Sequence, residues 1–88
     1  KRIYGYFTLP ILHRGELVGR LDPKAHRASG VFEVKGLHLE PGFQMDSRFV
    51  SELAETLTGF AAWHGTPVVQ ITRTNPAELR SELVTALG

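Results

Sequence analysis

Apolar and polar residues alternate along the first half of the chain and recur at helical spacing along the second. From Tyr4 to His13, Phe7, Leu9 and Ile11 fall on one side and Tyr6, Thr8 and Leu12 on the other, the period of a strand. Pro10 inside that run predicts an edge strand or a bulge, because proline cannot donate to a ladder. His13-Arg14-Gly15-Glu16 is a turn in which Gly15 supplies a positive φ. A second strand returns from Leu17 to about Asp22, with Leu17, Gly19 and Leu21 opposite Val18, Arg20 and Asp22. Pro23 is expected to end the pairing or bulge it. After a turn at Arg27-Ala28-Ser29-Gly30, a third strand runs from Val31 to Leu39, with Glu33 and Lys35 opposite Phe32 and Val34. Consecutive strands with short turns predict an antiparallel meander.

The period then changes. Glu40-Pro41-Gly42 stops the third strand, and Asp46 or Ser47 is placed to cap a helix by accepting from a free backbone N–H. Phe49, Leu53, Leu57 and Phe60, flanked by Val50, Ala54 and Ala61, form its apolar stripe. Gly65 supplies the stop, and Trp63 in the last turn is expected to close the edge of the core. A short strand follows from Pro67 to Arg73, with Val69 and Ile71 facing inward. Asn75-Pro76-Ala77-Glu78 reads as a helix start, with Asn75 as cap and Pro76 at the first helical position. Leu79, Leu83 and Leu87 line that last helix. The predicted fold is α+β: a three-stranded antiparallel meander plus a fourth strand, with two helices packed on one face, in the order β-β-β-α-β-α.

With 88 residues, the chain is read as one domain, 1–88, with a modest core. It opens on Lys1 and runs almost at once into a strand-like segment, so it is read as a C-terminal fragment of a longer protein. No apolar run approaches the roughly 20 residues of a membrane span, and no partner membrane is expected. The absence of cysteine removes disulfides, thiolate metal sites and a cysteine nucleophile, and fits the cytoplasm. The net charge of +1 hides an asymmetry. Residues 1–42 carry seven Lys and Arg against four Asp and Glu; residues 43–88 carry three against five. The basic sheet half is the part suited to nucleic-acid phosphate, although a solvated charged face is the plainer alternative.

The densest charge lies in and just after the second strand. Arg20, Asp22, Lys24, His26 and Arg27 fall within eight positions. Two uses are open to them: contact with DNA phosphates, with Asp22 orienting Arg20 or Lys24, or a charge network that docks this domain on another. Other chemistry finds little support. His38 and Glu40 share a strand face, with His26 or His64 as a conceivable third ligand, but no further metal-ligand spacing is present, and no metal or cofactor is expected. No serine stands in a nucleophile-elbow context, and no glycine pattern makes a phosphate loop. The element order is shared with GCN5-like acyltransferases, which hold a pyrophosphate where a strand runs into a helix. The segment here, Glu40 to Asp46, lacks their glycine-rich signature, so a small-molecule-binding or acyltransferase-like module is kept only as the alternative reading.

The stretches Tyr4-Gly5-Tyr6-Phe7-Thr8-Leu9-Pro10-Ile11-Leu12, Leu17 to Arg27 with its Gly19-Arg20-Leu21-Asp22-Pro23-Lys24 run, and Val31 through Leu37-His38-Leu39-Glu40-Pro41-Gly42 resemble the C-terminal region of the AlkZ-like winged-helix proteins. These are bacterial DNA glycosylases and relatives linked to repair of interstrand crosslinks. The resemblance runs from Tyr4 to Gly42, and the helical half agrees in pattern only. It implies a parent with tandem winged-helix motifs that bind DNA and a catalytic Gln-x-Gln or Gln-x-Asp motif near its N-terminus. Gln44-Met45-Asp46 spells Gln-x-Asp, but it lies downstream of the C-terminal signature, where Asp46 is already needed as a cap. The resemblance implies an acidic residue in many relatives where His26 stands, which leaves the cluster more basic here. The expected function is therefore a non-catalytic C-terminal domain that scaffolds the winged-helix region and adds a DNA-contacting edge. The expected partners are that winged-helix region and double-stranded DNA. Arg20, Asp22, Lys24, His26 and Arg27 are the nucleic-acid-binding or domain-docking residues.

Overall fold

The computed structural model describes residues 8–88. Strands β1 (Leu9–His13), β2 (Glu16–His26) and β3 (Val31–Leu39) form the meander, followed by helix α1 (Ser47–Trp63), strands β4 (Val68–Ile71) and β5 (Thr74–Asn75), and helix α2 (Glu78–Leu87). The part of the expected first strand from Tyr4 to Phe7 lies outside the described residues. The order β-β-β-α-β-α holds, with β5 as an added short strand.

The sheet is mixed rather than mainly antiparallel. β1-β2 and β2-β3 pair antiparallel, whereas β4 and β5 both pair parallel to β3, one after the other along the same edge. The chain leaves β3, crosses through α1 and returns in the same direction, as parallel neighbours require. Between β4 and β5 the edge stays closed: Thr72 N–H donates to Val34 O and Leu37 N–H to Arg73 O.

β2 does not stop near Asp22 but continues through Pro23 to His26. The expected disturbance appears as a register shift between Asp22 and Pro23, where Asp22 pairs with Gly36 and Pro23 with Val34, so Lys35 is the extra residue on β3. The bulge absorbs the irregularity and Pro23 packs fully buried. A second shift pairs Ile11 with Gly19 and Leu12 with Leu17, leaving Val18 unopposed. Val18 turns inward, while Leu17 and Leu12 are 57% and 65% exposed, the reverse of simple alternation. Gly19 is demanded by the close approach of β3, because a Cβ there would clash with the carbonyl oxygen of His38.

One face of the sheet is covered. Phe32, Val34, Leu37 and Leu39 of β3 join Ile11, Val18, Leu21 and Ile71 in a core closed by Phe49, Val50, Leu53, Ala54, Leu57 and Ala61 of α1 and Leu79 and Leu83 of α2. α1 begins as expected, with Asp46 accepting from Phe49 N–H at 2.8 Å. It ends at His64, with Gly65 at φ +76°. Two expectations are corrected. Trp63 does not close the core but is 81% exposed, because it falls on the helix edge shared with exposed Glu52 and Thr56, beyond the buried stripe. Asn75 does not cap α2. It pairs with His38 in β5, the Asn75–Pro76 peptide is cis, and α2 starts at Glu78 behind Ala77 with no side-chain cap.

Candidate nucleic-acid interface

The face of the sheet away from the helices carries most of the charged cluster of β2. The register of β2 against β3 puts Leu21 opposite Leu37, Pro23 opposite Val34 and Ala25 opposite Phe32 on the covered side. The residues between them therefore point outward: Arg20 beside His38, Asp22 beside Gly36, Lys24 beside Glu33 and His26 beside Val31. Four of the five predicted residues thus share one row on the open face. Arg27 follows in the exposed turn, where Ser29 and Gly30 N–H groups donate to His26 O.

The carboxylates of this face are occupied. Thr8 Oγ1 donates to Asp22 Oδ1 at 2.7 Å. Glu33 is held from both sides, by Thr72 Oγ1 at 2.7 Å and by the His26 ring at 2.8 Å. The Thr72 hydroxyl bond, then the His26 bond, with Lys35 adding a nearby positive charge, keep Glu33 below its ordinary pKa. Ionised Glu33 thus ties β2, β3 and the end of β4 together.

Among the described residues, the ion pairs are His13–Glu52, His26–Glu33 and Arg48–Glu52, and none involves Arg20, Lys24 or Arg27. The expected role of Asp22 in orienting Arg20 or Lys24 is not what the structure shows, since its carboxylate is bonded to Thr8. Gly36 keeps the middle of the face open: a Cβ there would meet His38 Nε2 at 3.2 Å and Asp22 Oδ2 at 3.5 Å. Chemically, the row offers exposed guanidinium and ammonium groups on a rigid backbone, beside two carboxylates already engaged.

Sequence reasoning put Glu33 and Lys35 on the polar side of the third strand and His38 on a strand face with Glu40, but it did not join them, or Thr8 and Thr72, to the charged row. Period-two alternation places Glu33 outward, but its pairing with Lys24 and the reach of Thr72 depend on the bulge and the parallel return of β4. No three His, Asp or Glu side chains gather in a metal-holding group among the described residues. The loop before α1 is used by the fold: Phe43 packs edge-on against Phe49 and lies near His13, and the Asp46 carboxylate fills the helix N-terminus. An apolar groove of about 310 Å³ lies between β1 and α1, away from the charged row. Among the described residues no helix is long and apolar enough to cross a membrane.

No solved structure matches this chain. A family model described as DNA glycosylase AlkZ-like matches residues 1–63, which takes in β1, β2, β3 and α1 and therefore the whole charged row. The chain belongs to the AlkZ-like DNA glycosylase family.

Proposed function

We propose that this chain is a non-catalytic C-terminal domain of a winged-helix DNA-binding protein, resembling the crosslink-repair glycosylases of its family. In this reading it braces the winged-helix region and lays the open face of its sheet against the phosphates of double-stranded DNA. The observation that supports it is the division of labour on that face: Asp22 and Glu33 are bonded to Thr8, Thr72 and His26, while Arg20, Lys24 and Arg27 have no ion-pair partner among the described residues. Were the cluster a self-contained charge network, its carboxylates would be spent on its own cations. Cations that none of the described carboxylates engages instead suit a polyanion, whose binding releases counterions.

The acyltransferase-like alternative needs free N–H groups at the start of α1 for a pyrophosphate. Asp46 takes one of them and puts a negative charge there, which disfavours that ligand.

The test is fluorescence anisotropy of a short labelled duplex with this chain at low and moderate salt. Salt-sensitive binding is expected, with Arg20→Ala, Lys24→Ala and Arg27→Ala each weakening it and each lowering the salt slope by about one. Absence of binding at low salt sinks the phosphate reading and leaves the row as a latch to the winged-helix region. Loss of stability in the full-length parent on the same substitutions would then be the result to look for.

A further inference from the structure

Two histidines stand on the open face, His38 beside Arg20 and His26 beside Val31 at the far end of the row. His26 is clamped. Its Nε2 meets Glu33 Oε1 at 2.8 Å, and Thr72 Oγ1 holds the other oxygen of the same carboxylate at 2.7 Å. With Glu33 kept below its ordinary value, first by Thr72 and then by His26, its carboxylate is ionised near neutrality and can only accept. The proton of the 2.8 Å bond therefore sits on Nε2 of His26 whether the ring is neutral or charged. What changes with the charge of the ring is Nδ1. In the neutral ring it is a lone pair, and in the charged ring it is a second N–H donor. Among the described residues His26 Nδ1 makes no hydrogen bond, and the side chain is 37% exposed.

The groups around the ring indicate which ligand suits that donor. Lys24 precedes it by two positions on the same face, and Arg27 follows it in the exposed turn. β3 brings Glu33 and, at the bulge, Lys35, whereas Val68-Val69-Gln70-Ile71 of β4 brings no titratable side chain. The carboxylate in this set is already spent on the ring and on Thr72. A neutral His26 offers a phosphate a lone pair, which repels it. A charged His26 offers a donor between two cations, the stronger, charge-assisted kind. A phosphate held at Lys24 and Arg27 thus favours the charged ring, and the charged ring favours the phosphate by the same factor. The clamp matters because it leaves Nδ1 as the nitrogen that switches.

We infer that His26 is a proton-gated phosphate ligand, positioned by Glu33 and Thr72, so that this face takes up a proton from the buffer as it takes up DNA. The inference rests on the phosphate-contact reading of the row and adds a control by pH to it.

The experiment follows the anisotropy of the labelled duplex with this chain, over a range of salt, between about pH 8 and about pH 5.5, where histidine side chains change charge. Calorimetry of the same binding in two buffers of different ionisation enthalpy counts the protons exchanged. Affinity is expected to rise about tenfold as the pH falls, the size of one charge-assisted hydrogen bond, and the salt slope to steepen by about one. Net proton uptake is expected on binding. His26→Gln is expected to abolish the uptake and most of the pH response, and Glu33→Gln to shrink both. His38→Gln, on the same face beside Arg20, is expected to keep both. Salt-sensitive binding without proton uptake by the parent chain overturns the gate and leaves the phosphate row standing, and that result needs no variant to fold. A pH response that survives His26→Gln, or one that His38→Gln removes, also overturns the gate. Absence of binding at either pH overturns the row and the gate together, so the two failures are distinguishable.

Discussion

Phe32, Val34 and Leu37 lie buried beneath the helices, while on the other side of β2 and β3 Arg20 and Lys24 meet open solvent and Glu33 is half-buried. The same backbone carries both sets, one residue apart. On the covered side each position is fixed by volume, because a core at crystal-like density has no slack. On the open side the carboxylates are fixed by hydroxyls and a histidine ring, whereas Arg20, Lys24 and Arg27 make no ion pair among the described residues. The comparison teaches that stability and binding are laid on opposite faces of one sheet, so substitutions should separate into two classes by face rather than by sequence neighbourhood.

The largest effect tests the covered face. Phe32 is 2% exposed and packs edge-on against Phe60. Phe32→Ala is expected to lower unfolding free energy by about 3–5 kcal/mol, read as a urea midpoint. A loss below about 1 kcal/mol would mean the two faces are not as different as drawn. Next comes Gly19, where β3 runs so close that a Cβ would meet the His38 carbonyl oxygen. Gly19→Ala forces the new methyl against the His38 carbonyl and is expected to cost about 2–3 kcal/mol, although only one carbon is added.

A third effect, of about 1 kcal/mol, belongs to the start of α1, and it shows how far the sequence could be read. Asp46→Ala removes the bond to Phe49 N–H and should lower stability by about 1 kcal/mol in the same urea series. Asn75→Ala, at what looks in sequence like an equally good cap, should change it by less than about 0.5 kcal/mol, since Asn75 makes no cap. Both signatures are local, but the second competes with a tertiary demand: His38 on β3 offers a ladder partner, and Asn75 takes it. The third strand, the apolar stripe of α1 and the element order were legible because each repeats a period over many residues. β2 beyond Pro23 was not, because the bulge that accommodates it lies on β3, at Lys35. Trp63 was misplaced because an apolar residue in a last turn looks like core unless its angle around the helix is followed. At the candidate site, Arg20 and Asp22 were visible as alternating charges on one strand, and Lys24, His26 and Arg27 as charges close behind it in sequence. Glu33 and Thr72 were not, since they meet across 39 positions through the parallel return of β4.

A smaller effect depends on pH. Glu33 is held below its ordinary value of 4.5, first by Thr72 and then by His26. A carboxyl with a depressed folded-state pKa contributes stability above its unfolded value and loses that contribution as pH falls through the folded one. Glu33→Gln should therefore be less stable than the parent near neutrality, and the gap should close as the pH is lowered below 4.5 and through the folded-state pKa. Thermal melts of the two chains across that range check it. A gap that is constant with pH would show that Glu33 acts by shape and not by charge.

The smallest stability effect is the one that most sharpens the contrast. Lys24 lies directly across from Glu33, a position at which a sheet often places a stabilising opposite-charge pair. Here Glu33 is engaged by Thr72 and His26, and Lys24 stays out of the described ion pairs. Lys24→Ala should then change the urea midpoint by an amount within about 0.5 kcal/mol, as for an exposed residue with no buried partner. The same substitution should weaken salt-sensitive DNA binding and reduce its salt slope by about one. A residue that the fold does not need and the ligand does is the signature expected of the open face. If Lys24→Ala instead destabilised the chain by more than 1 kcal/mol, Lys24 would belong to the network that holds the strands together. Its loss of DNA affinity would then say nothing about phosphate.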